Sequence, residues 1–239
     1  MAYSTLFSNG APAVPSAIAL DSAGEVVISG MTSSAAFPST AGAYNNPWNT
    51  TPPFVTKLDA TGTKLIFSAV GVGGSSVALD PAGNIVVSGS TTSGLYPVTA
   101  GVFQSTVATK PQCDLVGPCS GEVYMTSDQY ATRMRADGSK LLYSTFLTGS
   151  SGSYNTGLAV DGAGDVWVTG ITDSSDYPYT GASGANGHMA LFTGELDPTG
   201  SKLLVSVQQG GSSLTLDPLG NVVVGRYWPV SPFPEQYMD

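Results

Sequence analysis

Charged side chains are scarce in this sequence: Asp, Glu, Lys and Arg make up 10% of its 239 residues. Lys and Arg number 8 against 17 Asp and Glu, for a formal net charge of −9. The cations are scattered, which excludes the clustered basic surface that nucleic acid or an anionic membrane demands. The single histidine, His188, sits in a glycine-rich stretch with no Cys or Ser motif beside it, so no nucleophilic triad is assembled locally. There is no Gly-x-Ser-x-Gly elbow, and neither Gly73-Gly74-Ser75 nor residues 149–152 lead into a helix or a Walker lysine, so a phosphate cradle is not expected. No apolar run approaches the roughly 20 residues of a membrane helix, and membrane insertion is not expected. Residues 1–7 lack the basic start of a signal peptide. The only cysteines, Cys113 and Cys119, are six apart (119 − 113). A local disulfide is expected if the protein is exported, and free thiols otherwise. With one histidine they do not make a zinc site. Neither metal nor cofactor is expected.

Glycine (30 residues) and proline (16) are plentiful instead. With β-branched residues and little charge they indicate an all-β protein with many tight turns. The organising stretch is Leu20-Asp21-Ser22-Ala23-Gly24-Glu25-Val26-Val27-Ile28-Ser29-Gly30, and it recurs at residues 79–89, 160–170 and 216–225. In register with Asp21 and Gly24 stand Asp80 and Gly83, Asp161 and Gly164, and Asp217 and Gly220. The Asp carboxylate can accept backbone N–H bonds that close a turn. The Gly suits positive φ, and the β-branched run suits a strand. These eight residues are therefore read as structural turn residues. A calcium loop needs several clustered oxygen ligands, more than one Asp per turn supplies.

Two further landmarks keep step. The aromatic-proline pairs Phe37-Pro38, Tyr96-Pro97, Tyr177-Pro178 and Phe233-Pro234 place Pro at one fixed distance after each motif Asp (38 − 21 = 97 − 80 = 178 − 161 = 234 − 217 = 17). Proline ends a strand, and the aromatic is expected to pack between neighbouring repeats. Gly-x-Lys-Leu at residues 62–65, 138–141 and 200–203, flanked by apolar runs, marks a second hairpin. Each repeat therefore predicts four antiparallel strands, the pattern of a β-propeller blade. The expectation is one all-β propeller region of about four blades. It has an end strand in 1–10, repeats at 11–72, 73–150 and 151–210, and an incomplete repeat at 211–239. Tyr3-Ser4-Thr5 in the end strand matches Tyr143-Ser144-Thr145. The half-repeats predict a piece of a longer propeller, with a closed four-bladed ring or the pairing of two copies as alternatives. Repeat two is 17 to 19 residues longer than its neighbours (41 − 24 and 41 − 22, counted from the aromatic-Pro pair to the second hairpin). The extra residues lie between Gln104 and Asp128, around both cysteines, and such an insertion maps to a loop on one face.

Residues 141–149 and 158–170, together with Tyr177-Pro178, resemble the SBBP repeats, a family of bacterial propeller-type repeats. The resemblance covers nearly the whole chain. It implies a non-catalytic binding or structural module of an exported or cell-surface protein with a protein or glycan partner, and it brings no catalytic residues. The chain departs from the pattern at Arg135, where its other repeats have Asp59 and Asp197, and at Gly184, where an aromatic is expected. Candidate ligand contacts are Trp48, in an irregular polar loop where a ring can stack on a sugar, and Asp173, Asp176, Tyr177 and Tyr179. The alternative is a polysaccharide lyase or hydrolase using Asp173, Asp176 or His188.

Overall fold

The computed structural model describes residues 4–6, 8, 10–46, 51–107, 127–181 and 189–226. Trp48, both cysteines, His188 and Phe233-Pro234 lie outside the described residues. Within them the chain is all β, with no helix. Sheet I is β1 (Ala13–Leu20), β2 (Val26–Thr32), β3 (Pro53–Leu58) and β4 (Leu65–Val70). Sheet II is β5 (Ser76–Leu79), β6 (Ile85–Thr91), β7 (Asp128–Met134) and β8 (Leu141–Leu147). Sheet III is β9 (Ser153–Val160), β10 (Val166–Thr172), β11 (Ala190–Leu196) and β12 (Leu203–Val207). A two-stranded sheet follows, β13 (Ser213–Leu216) and β14 (Val222–Gly225). Every pairing between these strands is antiparallel, and every four-stranded sheet is a simple meander in chain order.

The first hairpin of each sheet closes through its aspartate. Asp21 Oδ1 accepts the N–H groups of Ala23 (2.9 Å) and Glu25 (2.8 Å). Asp80, Asp161 and Asp217 accept the corresponding pairs at 2.8–2.9 Å. The glycine three residues on has φ between +79° and +87° in all four copies, a region that side chains other than Gly rarely enter.

The second strand of each four-stranded sheet is buried on both faces, which explains its unbroken apolar run. Its alternate residues feed different cores. Val26 and Ile28 pack within sheet I against Phe37, Phe54 and Leu58. Val27 joins Val55 and Phe67 against Val77, Leu79, Ile85 and Met134 of sheet II. Val86, Ala131 and Tyr143 of sheet II meet Leu158, Val160, Val166 and Val168 of sheet III. Successive sheets touch through the first strand of the later one, β5 against β1 and β2, β9 against β6, β5 and β7, and β13 against β9 and β10.

A glycine in each second strand faces an aromatic of the third: Gly30 opposite Phe54, Gly89 opposite Tyr130, Gly170 opposite Phe192. The ring lies across the slot that the missing side chain leaves, and a Cβ there would come within 2.5–2.9 Å of it. The aromatic of each described aromatic-proline pair stacks on that same ring. The centroids are 4.4 Å apart for Phe37–Phe54, 3.7 Å for Tyr96–Tyr130 and 4.3 Å for Tyr177–Phe192. The expected packing between repeats is thus packing within one repeat, because the glycine opens room for a ring pair on the sheet's own face.

Candidate binding cleft

The sheets are joined by a repeated hydroxyl, eight residues after the first three motif aspartates (Ser29, Ser88 and Thr169). Ser29 Oγ donates to Gly74 O (3.0 Å) and accepts from Gly74 N (2.7 Å), tying sheet I to the start of β5. Thr169 Oγ1 accepts from Gly211 N (3.1 Å), tying sheet III to β13. Ser88, the matching residue of sheet II, lies 2.9 Å from Asn155 Oδ1. Asn155 stands where the other joints have glycine, and its longer side chain gathers more partners. Its Oδ1 accepts from Gln129 Nε2 (3.1 Å), its Nδ2 donates to Ser75 (3.1 Å) and Ser76 (2.9 Å), and its N–H reaches Ser90 Oγ (2.8 Å). The fully buried Gln129 keeps its Oε1 without a hydrogen-bond partner among the described residues.

Beside this knot a cleft of about 300 Å³ opens between sheets I and II. Its lining carries the hydroxyls of Ser16, Thr51, Ser75, Ser90, Thr91, Thr92 and Ser127, with Met31, Pro53, Tyr96 and Tyr130 as the apolar part. The tyrosines are fixed: Tyr130 Oη donates to Gly73 O (2.8 Å), and Tyr96 Oη lies 3.1 Å from Thr132 Oγ1. Burial pushes both phenols above their ordinary range, and in Tyr96 the neighbouring Tyr130 adds to the effect. They stay protonated, and buried, stacked on each other and bonded through their hydroxyls they form the rigid floor behind the cleft. The described lining is thus uncharged, dense in donors and acceptors, and backed by aromatic carbon.

The loop expected to hold ligand is placed differently. Asp173 is buried and its Oδ1 accepts the N–H of Met189 (2.9 Å). Asp176 Oδ1 accepts from both N (2.8 Å) and Oγ (2.9 Å) of Ser150. Burial alone would raise the Asp176 carboxyl, but the two Ser150 donors outweigh it and hold the pKa below the ordinary value. The two acids brace separate segments. Tyr177 is buried on Phe192, and Tyr179 is half-buried with its ring 5.1 Å from Tyr177. Asp176 and Pro178 do border a smaller space of about 220 Å³ with Phe103, Gln104, Thr148 and Gly149.

The cleft hydroxyls carry a signal in the sequence. A Ser or Thr stands five residues before each motif Asp (Ser16, Ser75, Thr156, Ser212; 21 − 5, 80 − 5, 161 − 5, 217 − 5). In β1 and β9 this residue is the extra one at a bulge, and bulges re-aim side chains. A scan against protein-family models and a search of curated proteins each gave no match to this chain.

Proposed function

We propose that the chain is a glycan-binding module of β-propeller type, similar to the SBBP repeats, from an exported or cell-surface bacterial protein. Three meanders in succession, with their first strands side by side, are the packing that propeller blades require. The observation that carries the binding role is the uncharged, hydroxyl-dense cleft backed by Tyr96 and Tyr130. A neutral oligosaccharide matches it: hydroxyls exchange hydrogen bonds with Ser and Thr, and the apolar sugar face rests on the exposed Met31 side chain, with the buried tyrosines as a rigid floor behind it. A lyase or hydrolase needs carboxylates converging on one bond, whereas Asp173 and Asp176 are drawn to separate partners.

The test is affinity electrophoresis and calorimetry against a panel of neutral oligosaccharides. The expected outcome is retention by at least one of them, lost in a Ser75→Trp variant that fills the cleft from an exposed position and melts as the parent does. Retention by no sugar, or equal retention by that variant, overturns the assignment.

A further inference from the structure

The third strand of sheet III lacks a hydroxyl that its counterparts carry. Thr56 in sheet I lies between Ile28 and Ser68, and Thr132 in sheet II between Val87 and Ser144. The residue in that register of sheet III, between Val168 and Ser206, is Gly194. In the first two sheets the threonine hydroxyl is the centre of a buried network. Thr56 Oγ1 lies 3.0 Å from Ser68 Oγ. Thr132 Oγ1 lies 2.7 Å from Ser144 Oγ and 3.1 Å from Tyr96 Oη.

Sheet III keeps the partners of that hydroxyl. Ser206 is held as Ser68 and Ser144 are: Thr40, Thr99 and Thr180 each accept the serine N–H through Oγ1, at 3.0, 3.0 and 2.8 Å. Tyr177 stacks on Phe192 as Tyr96 stacks on Tyr130, which carries its hydroxyl to the matching place. Ser206 is 0% exposed and Tyr177 4%. Yet Ser206 Oγ and Tyr177 Oη have no hydrogen-bond partner among the described residues. A buried hydroxyl is costly to leave unpaired. The neighbours do not close over Gly194 either. A Cβ there would find its nearest atoms at ordinary contact distance, Leu203 Cδ1 at 3.4 Å, Val205 O at 3.6 Å and Val168 Cγ2 at 3.8 Å.

We infer that sheet III binds one internal water molecule beside Gly194, at the place of the threonine hydroxyl of sheets I and II. The water accepts the Tyr177 proton and donates to Ser206 Oγ, and Val205 O faces the same point as an acceptor for its other proton. Internal waters typically make about three such bonds, to groups that are otherwise unsatisfied. Both side-chain partners are neutral hydroxyls, which suits a neutral molecule rather than an ion. The room is that of one small side chain, which excludes anything much larger than water. Sheet III therefore holds as an exchangeable part what the other two sheets hold as a covalent one. The site lies inside sheet III and does not depend on the glycan reading.

High-resolution crystal structures and melting curves of the parent and two variants test it. The parent should show a solvent peak about 2.7–3.0 Å from both Tyr177 Oη and Ser206 Oγ. Gly194→Thr should put its own Oγ1 in place of that peak and raise Tm by about 2–4 °C. Gly194→Ala adds a methyl group that fits and makes no hydrogen bond. It should expel the water, strand both hydroxyls and leave Tm at or below that of the parent. A dry slot predicts the reverse, with alanine as stabilising as threonine, because filling the space is then favourable by itself. No peak in the parent, a peak that survives Gly194→Thr, or an equal rise in Tm for the two variants overturns the assignment. Should a variant fail to fold, the parent structure alone decides it.

Discussion

Lys57, whose Nζ lies 2.8 Å from both Asp21 Oδ2 and Glu25 Oε2, shows what a single residue contributes when its partners are fixed. Its side chain is 11% exposed and that of Asp21 15%, so the pair is screened far less than a surface pair. The Lys57 ammonium is the main cause that brings Asp21 down to about 2 from an ordinary 3.8. Lys57 itself is raised: burial opposes its charge, but Asp21 and Glu25 more than compensate. A carboxylate whose folded pKa is depressed adds stability above the unfolded pKa and loses it as pH falls through the folded one. For Asp21 that window runs from about pH 4 down to about pH 2. The raised Lys57 contributes below its ordinary 10.5 and is lost only above it. Lys57→Met should therefore cost about 2 kcal/mol at pH 7 and flatten the acid limb of Tm against pH between 4 and 2. Melting curves for both proteins across that range check it, and parallel acid limbs would contradict it. Lys57, Arg133 and Glu195 hold one position of the third strand, and that equivalence was present in the sequence, each before the last apolar residue of its run. Its meaning was not, because the turn and the third strand are separated by unequal lengths (57 − 21 = 36, 133 − 80 = 53, 195 − 161 = 34). Which carboxylates a third-strand residue faces is set by register across the sheet.

At the scale of the element, the unit is a glycine, a ring opposite it and a second ring stacked on top. The strands and hairpins were legible from alternation, turn residues and the fixed spacing of the landmarks. The ring pair was only half legible: the aromatic-proline pair was visible, its partner on the third strand was not, since that contact is made by pairing rather than by proximity along the chain. Gly170 holds the tightest example. A methyl group there would lie 2.1 Å from Tyr154 O and 2.5 Å from Phe192 Cζ. Gly170→Ala should cost about 3 kcal/mol through displacement of the Phe192–Tyr177 stack. Gly162→Ala, whose new atom meets nothing within 4 Å, should stay within about 0.5 kcal/mol. Urea unfolding of the two variants beside the parent separates these outcomes, and equal midpoints would refute the steric reading.

Across the whole molecule, each sheet leans chiefly on its neighbours, so stability is approximately a sum of sheets and joints. The joint between sheets I and II rests on Ser29, which is fully buried. Ser29→Ala leaves the Gly74 N–H without its partner, at about 1–3 kcal/mol. Hydrogen exchange should show the Gly74 amide and the β1–β2 amides losing protection ahead of sheet III. Uniform loss over all three sheets would show that they unfold as one unit. On sheet I, Ile18 (68% exposed) and Leu20 (65%) occupy the positions at which sheets II and III pack against a preceding sheet, through Val77 and Leu79 or Leu158 and Val160. The hydroxyl joint gives such packing a direction. One sheet brings the hydroxyl as a plug, the next brings the N–H as a socket, and two like faces have nothing to exchange. In sheet I the socket position is Pro15, which has no N–H, and beside β13 the plug position is Gly225, which has no hydroxyl. Any body that docks on either outward face therefore does so without this plug-and-socket bond.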